Sequence, residues 1–169
     1  MLNTKTIQAC IIWACEQEVS APKPGNVNRV TGGHNMQIGD FIKSAHAIAP
    51  ALSQKGLSIG ERVLAAIQAT QSVVNCNTNL GIVLLFAPLC FAVEQCKSFE
   101  ELPVQLKKAL DNLTVQDAEN TYTAIRLAHA GGLGEVADQD INSTPTITLL
   151  QAMEQAKNRD LIAAQYCNN

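Results

Sequence analysis

An all-α fold, a multi-helix bundle around a central apolar helix, is predicted by three features of the sequence. Apolar residues recur at helical spacing through most of the chain, and no stretch shows the strict alternation of a half-buried strand. With 47% hydrophobic but only 4% aromatic residues, the core has to be assembled from Ala, Leu, Ile and Val, as in helix bundles.

Ile7, Ile11, Ala14 and Cys15 follow Thr4, a candidate N-cap, and predict a first helix over about residues 5–19 that ends as the chain meets Pro22. Ser20 to Gly39 then holds two prolines, four glycines and three asparagines with little periodicity. A loop of about twenty residues inside a compact domain points to function. Asp40 opens a helix with Phe41, Ala45, Ile48 and Leu52 on one face; Gly56 breaks it, and Val63, Ile67, Thr70 and Val74 continue as the second arm of a hairpin. After the polar interruption Asn75–Asn79, the run Leu80–Val93 is apolar on nearly every side, which makes it the central helix, with Pro88 expected to kink it. Ser98–Glu101 has the form of a capping box and Thr114–Asp117 a weaker acidic version, so helices are expected over about 99–112 and 115–129. Gly131-Gly132-Leu133-Gly134 closes the second of these. Thr144-Pro145 offers an N-cap and a proline at the first helical position for a last helix from about 145. Asn158–Tyr166 reads as an amphipathic helix still in progress, so residues 1–169 are expected to form a single helical domain that is incomplete at its C-terminus.

Several function classes are excluded by composition. The net charge is −3 and no Lys/Arg cluster exceeds the Lys107-Lys108 pair, which speaks against nucleic acid as a partner. Leu80–Val93 is shorter than the roughly 18 residues of a membrane span. The N-terminus carries no export signal, and the six cysteines show no C-x-x-C and no zinc spacing, so they read as reduced thiols of a cytoplasmic protein. Cys76 stands out because it lies inside a polar motif.

Three constellations carry candidate chemistry. In Glu18–Asn28, prolines on both sides of Lys23 stiffen the backbone around one cation, while Gly25, Gly32 and Gly33 permit close backbone approach to a phosphate. A rigid connector with a solvated lysine is the competing reading, and His34 is either a general base or a loop hydrogen-bonder. Asn75-Cys76-Asn77-Thr78-Asn79-Leu80-Gly81 places more polar side chains at a helix start than capping requires, as a pocket for an anion would. Asp117 and Asn120 share a helix face at a spacing suited to a hydrated magnesium ion; acidic complementation of the helix dipole is the alternative.

In order along the chain, Glu18-Val19, Pro22-Lys23-Pro24-Gly25-Asn26-Val27, Gly33-His34, Asp40-Phe41, Ser44-Ala45 and Asn77-Thr78-Asn79-Leu80-Gly81 resemble the triphosphoribosyl-dephospho-CoA synthase family. Ala124-Ile125-Arg126, Gly131–Glu135 and Arg159–Ala163 extend the likeness, nearest to an archaeal and methylotroph-like branch. The resemblance implies an all-helical transferase, longer than this chain, that moves a triphosphoribosyl group from ATP to dephospho-CoA and releases adenine. It further implies that Lys23, Gly25 and Asn26 hold phosphates and that Asn77, Thr78, Asn79 and Gly81 bind the nucleotide. Magnesium would neutralise the triphosphate, and Glu18, His34 or Asp40 would act at the reacting centre. Homodimerisation is a further expectation. The chain departs from the family's N-T-H-K-G pattern, carrying Asn79 and Leu80 in place of the histidine and lysine, and it has Asn35 where an acidic residue precedes the methionine. The alternative is a non-catalytic binding or assembly protein on the same scaffold, or an inactive truncated homologue.

Overall fold

The computed structural model describes residues 2–23, 27, 36–129 and 141–168. Among them run eight α-helices and one short 3-10 turn, with no β-strand. The helices are α1 Thr4–Ser20, α2 Ile38–Leu52, α3 Ile59–Val73, α4 Leu80–Gln95, α5 Leu102–Asp111, α6 Val115–Leu127, α7 Leu149–Ala156 and α8 Leu161–Cys167.

Helix α4 takes the central place expected of it, packing against α1, α2, α3, α5 and α8, while α3 lies between α2, α4 and α6. The core follows the aliphatic composition: Ile48, Leu52, Val63, Ile67, Val83 and Leu149 are essentially inaccessible. Pro88 sits inside α4 and has no N–H for the carbonyl of Leu84, four residues earlier. Tyr166 on α8 donates its hydroxyl to that oxygen at 2.6 Å, so the residue that breaks the helical ladder also creates the docking point for the last helix. The phenol is 2% exposed, and burial, with the charge of Asp117 second, raises its pKa well above the ordinary value.

Several boundaries differ from expectation because a competing cap wins. Asn3, not Thr4, caps α1, its Oδ1 accepting from the Thr6 N–H at 2.9 Å. The last residue before Pro22, Ala21, is extended, which ends the helix. Helix α2 starts two residues before Asp40, whose carboxylate reaches back to the Gln37 N–H at 2.9 Å. Ser98 makes no side-chain cap bond; Phe99–Glu101 forms the 3-10 turn, and the Glu101 carboxylate accepts the Lys97 N–H at 2.9 Å. Helix α7 begins at Leu149, since Thr148 and Gln151 form a reciprocal capping box at 2.9 and 3.3 Å and leave Pro145 buried in the approach. Helix α6 stops at Leu127, and His129 follows in the left-handed conformation at φ 47°. Gly131–Gly134, expected to end it, lie outside the described residues.

One joint is tighter than side-chain packing alone allows. Gly60 on α3 abuts Asp117 on α6 so closely that a Cβ at residue 60 would lie 2.5 Å from the Asp117 Cα. The Gly60 N–H donates to Asp117 Oδ1 at 2.8 Å, while Oδ2 accepts from both the N–H and the hydroxyl of Thr114 at 2.9 and 2.7 Å. Arg62, also fully buried, ties three elements together. It donates to the Leu52 carbonyl at 2.5 Å and the Leu57 carbonyl at 3.2 Å, pairs with Glu94 at 2.8 Å, and lies over the Phe91 ring.

Candidate active site

Where α4 begins, residues far apart in sequence meet. A cavity of about 310 Å3 is lined by Glu18 from the end of α1, Val27 and Met36 from the connection, Phe41 from α2, and Asn77 to Ile82 at the start of α4. The chain reaches it through a polar turn because Asn77 accepts the Leu80 N–H on its Oδ1 at 3.1 Å, capping α4 from three residues upstream. Among the described residues the Asn77 amide nitrogen has no partner, which leaves two N–H donors at the cavity wall.

Behind this wall stand two hydroxyls that sequence reasoning left without a role. Thr78 donates to Ser44 Oγ at 2.7 Å, and Ser44 donates to the Asp40 carbonyl at 2.8 Å. Asn79 donates through Nδ2 to Thr70 Oγ1 at 3.0 Å, and the Thr70 hydroxyl reaches the Ala66 carbonyl at 3.1 Å. Ser44 and Thr70 are each at most 1% exposed. A serine or threonine inside an otherwise apolar helix face is the sequence signal that would have flagged them.

Glu18 carries the cavity's carboxylate, and Lys23 forms an ion pair with it. Both side chains remain more than a third exposed, so the pair is open to exchange with a charged ligand. Asp40 does not line the cavity, but it stands close enough to Cys76 that its charge adds to burial in raising the thiol's pKa. Gly25, Asn26 and His34 lie outside the described residues.

Two expected roles change on inspection. Gly81 lines the cavity, yet its missing side chain also answers to α8: a Cβ there would lie 2.8 Å from Ile162 Cδ1. Asp117 and Asn120 are not part of this cavity. Three hydrogen bonds occupy most acceptor directions of the Asp117 carboxylate in the α3–α6 joint, and Asn120 Oδ1 faces Gln116 at 3.4 Å. No group of three or more His, Cys, Asp or Glu side chains able to hold a metal ion occurs among the described residues.

The ordered motifs at Glu18, Lys23 and Asn77–Gly81 thus share one cavity and its rim. A family model described as CitG, ATP:dephospho-CoA triphosphoribosyl transferase, matches residues 4–169. The chain belongs to this family. The CitG reaction makes it a transferase whose donor is ATP and whose acceptor is dephospho-CoA. Comparison with curated proteins and with solved structures gives no match. No helix among the described residues is long and apolar enough to cross a membrane.

Proposed function

We propose that the cavity at the start of α4 is where this CitG-family transferase holds the ribosyl triphosphate end of ATP. The observation that carries this is the convergence of Glu18 and Asn77–Gly81 on one wall, with Lys23 paired to Glu18 at its edge. Lys23 supplies the point charge for the phosphates, with Gly25 and Asn26 following it in sequence, and the Asn77 amide adds N–H donors. Asn79 and Leu80, standing where the family pattern has histidine and lysine, carry no charge, and among the described residues Lys23 is the cation paired to the cavity's carboxylate.

In the transfer, the bond between ribose C1′ and the adenine nitrogen breaks while the acceptor's hydroxyl oxygen bonds to C1′, and the hydroxyl proton must leave. Glu18 faces the cavity as the carboxylate that stabilises the developing ribosyl cation. His34, between α1 and α2 in sequence, is the group we assign to proton handling, while Asp40, expected at the reacting centre, has its carboxylate in the cap of α2 and does not line the cavity. Magnesium keeps several waters and needs few protein ligands besides substrate phosphates, so it would be held mainly by the triphosphate, with Glu18 as the carboxylate in reach from the cavity wall. When bound it neutralises phosphate charge. A cytoplasmic location and a nucleotide partner accord with this chemistry.

Calorimetric titration of ATP in magnesium tests the reading. Saturable binding to the wild-type chain should weaken about tenfold or more in Lys23→Ala, the loss expected for a charge-assisted contact of 1.5–3 kcal/mol. Unchanged affinity in Lys23→Ala would remove the assignment.

A further inference from the structure

The hydrogen-bond chain behind the cavity has a direction, and that direction decides what Thr78 is able to bind. A carbonyl oxygen only accepts, so the Ser44 proton goes to the Asp40 carbonyl, at 2.8 Å, with the Phe41 carbonyl 3.1 Å away as a second acceptor. Ser44 Oγ then receives the Thr78 proton at 2.7 Å. The reverse arrangement would use the Ser44 proton on Thr78 and leave one hydrogen bond where two are available, at a serine with no exposure at all. Thr78 lines the cavity with its one proton already spent, so what its oxygen still offers is a lone pair.

A lone pair does not suit a phosphate oxygen, which is itself an acceptor. It suits a hydroxyl. The opposite polarity stands next to it, since the Asn77 amide nitrogen, without a partner among the described residues, has only protons to give. The wall therefore divides into a donor patch at Asn77 and an acceptor at Thr78, as a sugar bearing both hydroxyls and phosphates requires. We infer that Thr78 is the acceptor for a ribose hydroxyl, and that Ser44 is the positioning residue that fixes this polarity. The inference rests on the proposal that the ribosyl triphosphate occupies this cavity. Both substrates carry ribose, so the hydroxyl belongs either to ATP or to dephospho-CoA.

The test uses the purified chain with ATP, 2′-deoxy-ATP and 3′-deoxy-ATP, and with dephospho-CoA and its versions lacking either ribose hydroxyl. Calorimetric affinities are set beside KM and kcat for adenine release in the wild type, Thr78→Val, Thr78→Ser and Ser44→Ala. In the wild type, removal of one hydroxyl should weaken binding about three- to tenfold. Thr78→Val should bind the intact and deoxy ligands equally, Thr78→Ser should keep the preference, and Ser44→Ala should reduce it without abolishing it, because the Thr78 hydroxyl keeps its lone pairs but is no longer held in one orientation. A purely structural role for either residue would lower affinity for every ligand alike. Loss of the preference in the ATP series identifies the donor's ribose, and loss in the dephospho-CoA series identifies the acceptor's. A preference unchanged by Thr78→Val in both series, with ATP binding still dependent on Lys23, overturns this inference alone. ATP binding that is absent, or indifferent to Lys23→Ala, overturns the cavity assignment and this inference with it.

Discussion

Substituting phenylalanine for Tyr166 removes one oxygen atom and should strand a carbonyl inside the bundle. The Leu84 oxygen receives no helical hydrogen bond because residue 88 is proline, and the Tyr166 hydroxyl, 2.6 Å away, takes its place. Phenylalanine fills almost the same volume, so the change isolates the hydrogen bond from packing. An unsatisfied buried acceptor costs about 1–3 kcal/mol, and for a chain of this length a loss near 2 kcal/mol lowers Tm by roughly 4–8 °C. A second substitution makes the reasoning sharper. Pro88→Ala restores an N–H four residues after Leu84, so in that background the carbonyl has its own helical donor. Tyr166→Phe should then cost at least about 1 kcal/mol less than in the wild type, whatever Pro88→Ala does alone. Urea unfolding of the four proteins measures this coupling. Equal costs of Tyr166→Phe in both backgrounds would refute the account of how α8 is held.

Gly60→Ala should lower the urea midpoint by an amount equivalent to about 3 kcal/mol or more, because the new Cβ meets backbone atoms of Asp117 at 2.5 and 2.7 Å and the helices must separate. A midpoint at or above the wild-type value would contradict that geometry. Glu94→Ala strands the buried guanidinium of Arg62 and should cost about 3–5 kcal/mol, whereas the double change Arg62→Met with Glu94→Leu should recover part of it; denaturant unfolding compares both variants with the wild type. The contribution of Cys15 and Cys90 to stability should be constant up to about pH 9 and be lost between about pH 9 and 11. Burial raises the Cys15 and Cys90 thiols from 9.0 to about 11, so the unfolded chain gives up these protons first. Thermal unfolding across that range should show a shallower fall in Cys15→Ala and Cys90→Ala.

Much of the fold is legible because helices rest on local rules. The apolar run at Leu80–Val93 identified the central helix, and Thr114 with Asp117 marked the start of α6, a full capping box in the structure. Where boundaries moved, two local signals competed: Thr144-Pro145 and Thr148–Gln151 are both valid helix starts, and the choice depends on where Leu149 finds the core and its N–H finds the Thr114 carbonyl. Hydrogen-bond partners distant in sequence are invisible to such rules. Asp117 is legible in the sequence as a capping or metal-binding carboxylate, but not as a partner of Gly60, which is 57 residues away.

The site divides along the same line. From residue types alone, Glu18, Lys23 and Asn77–Gly81 stand out from an apolar background, since polar residues beyond the needs of capping are detectable locally. Packing brings Glu18 and Asn77–Gly81 into one cavity, leans Thr78 and Asn79 on Ser44 and Thr70, and sets Asp117 between α3 and α6. The physical reason is that a side chain's chemistry is fixed by its type, but what it offers a ligand is what its neighbours leave unpaired, and those neighbours are assembled by packing.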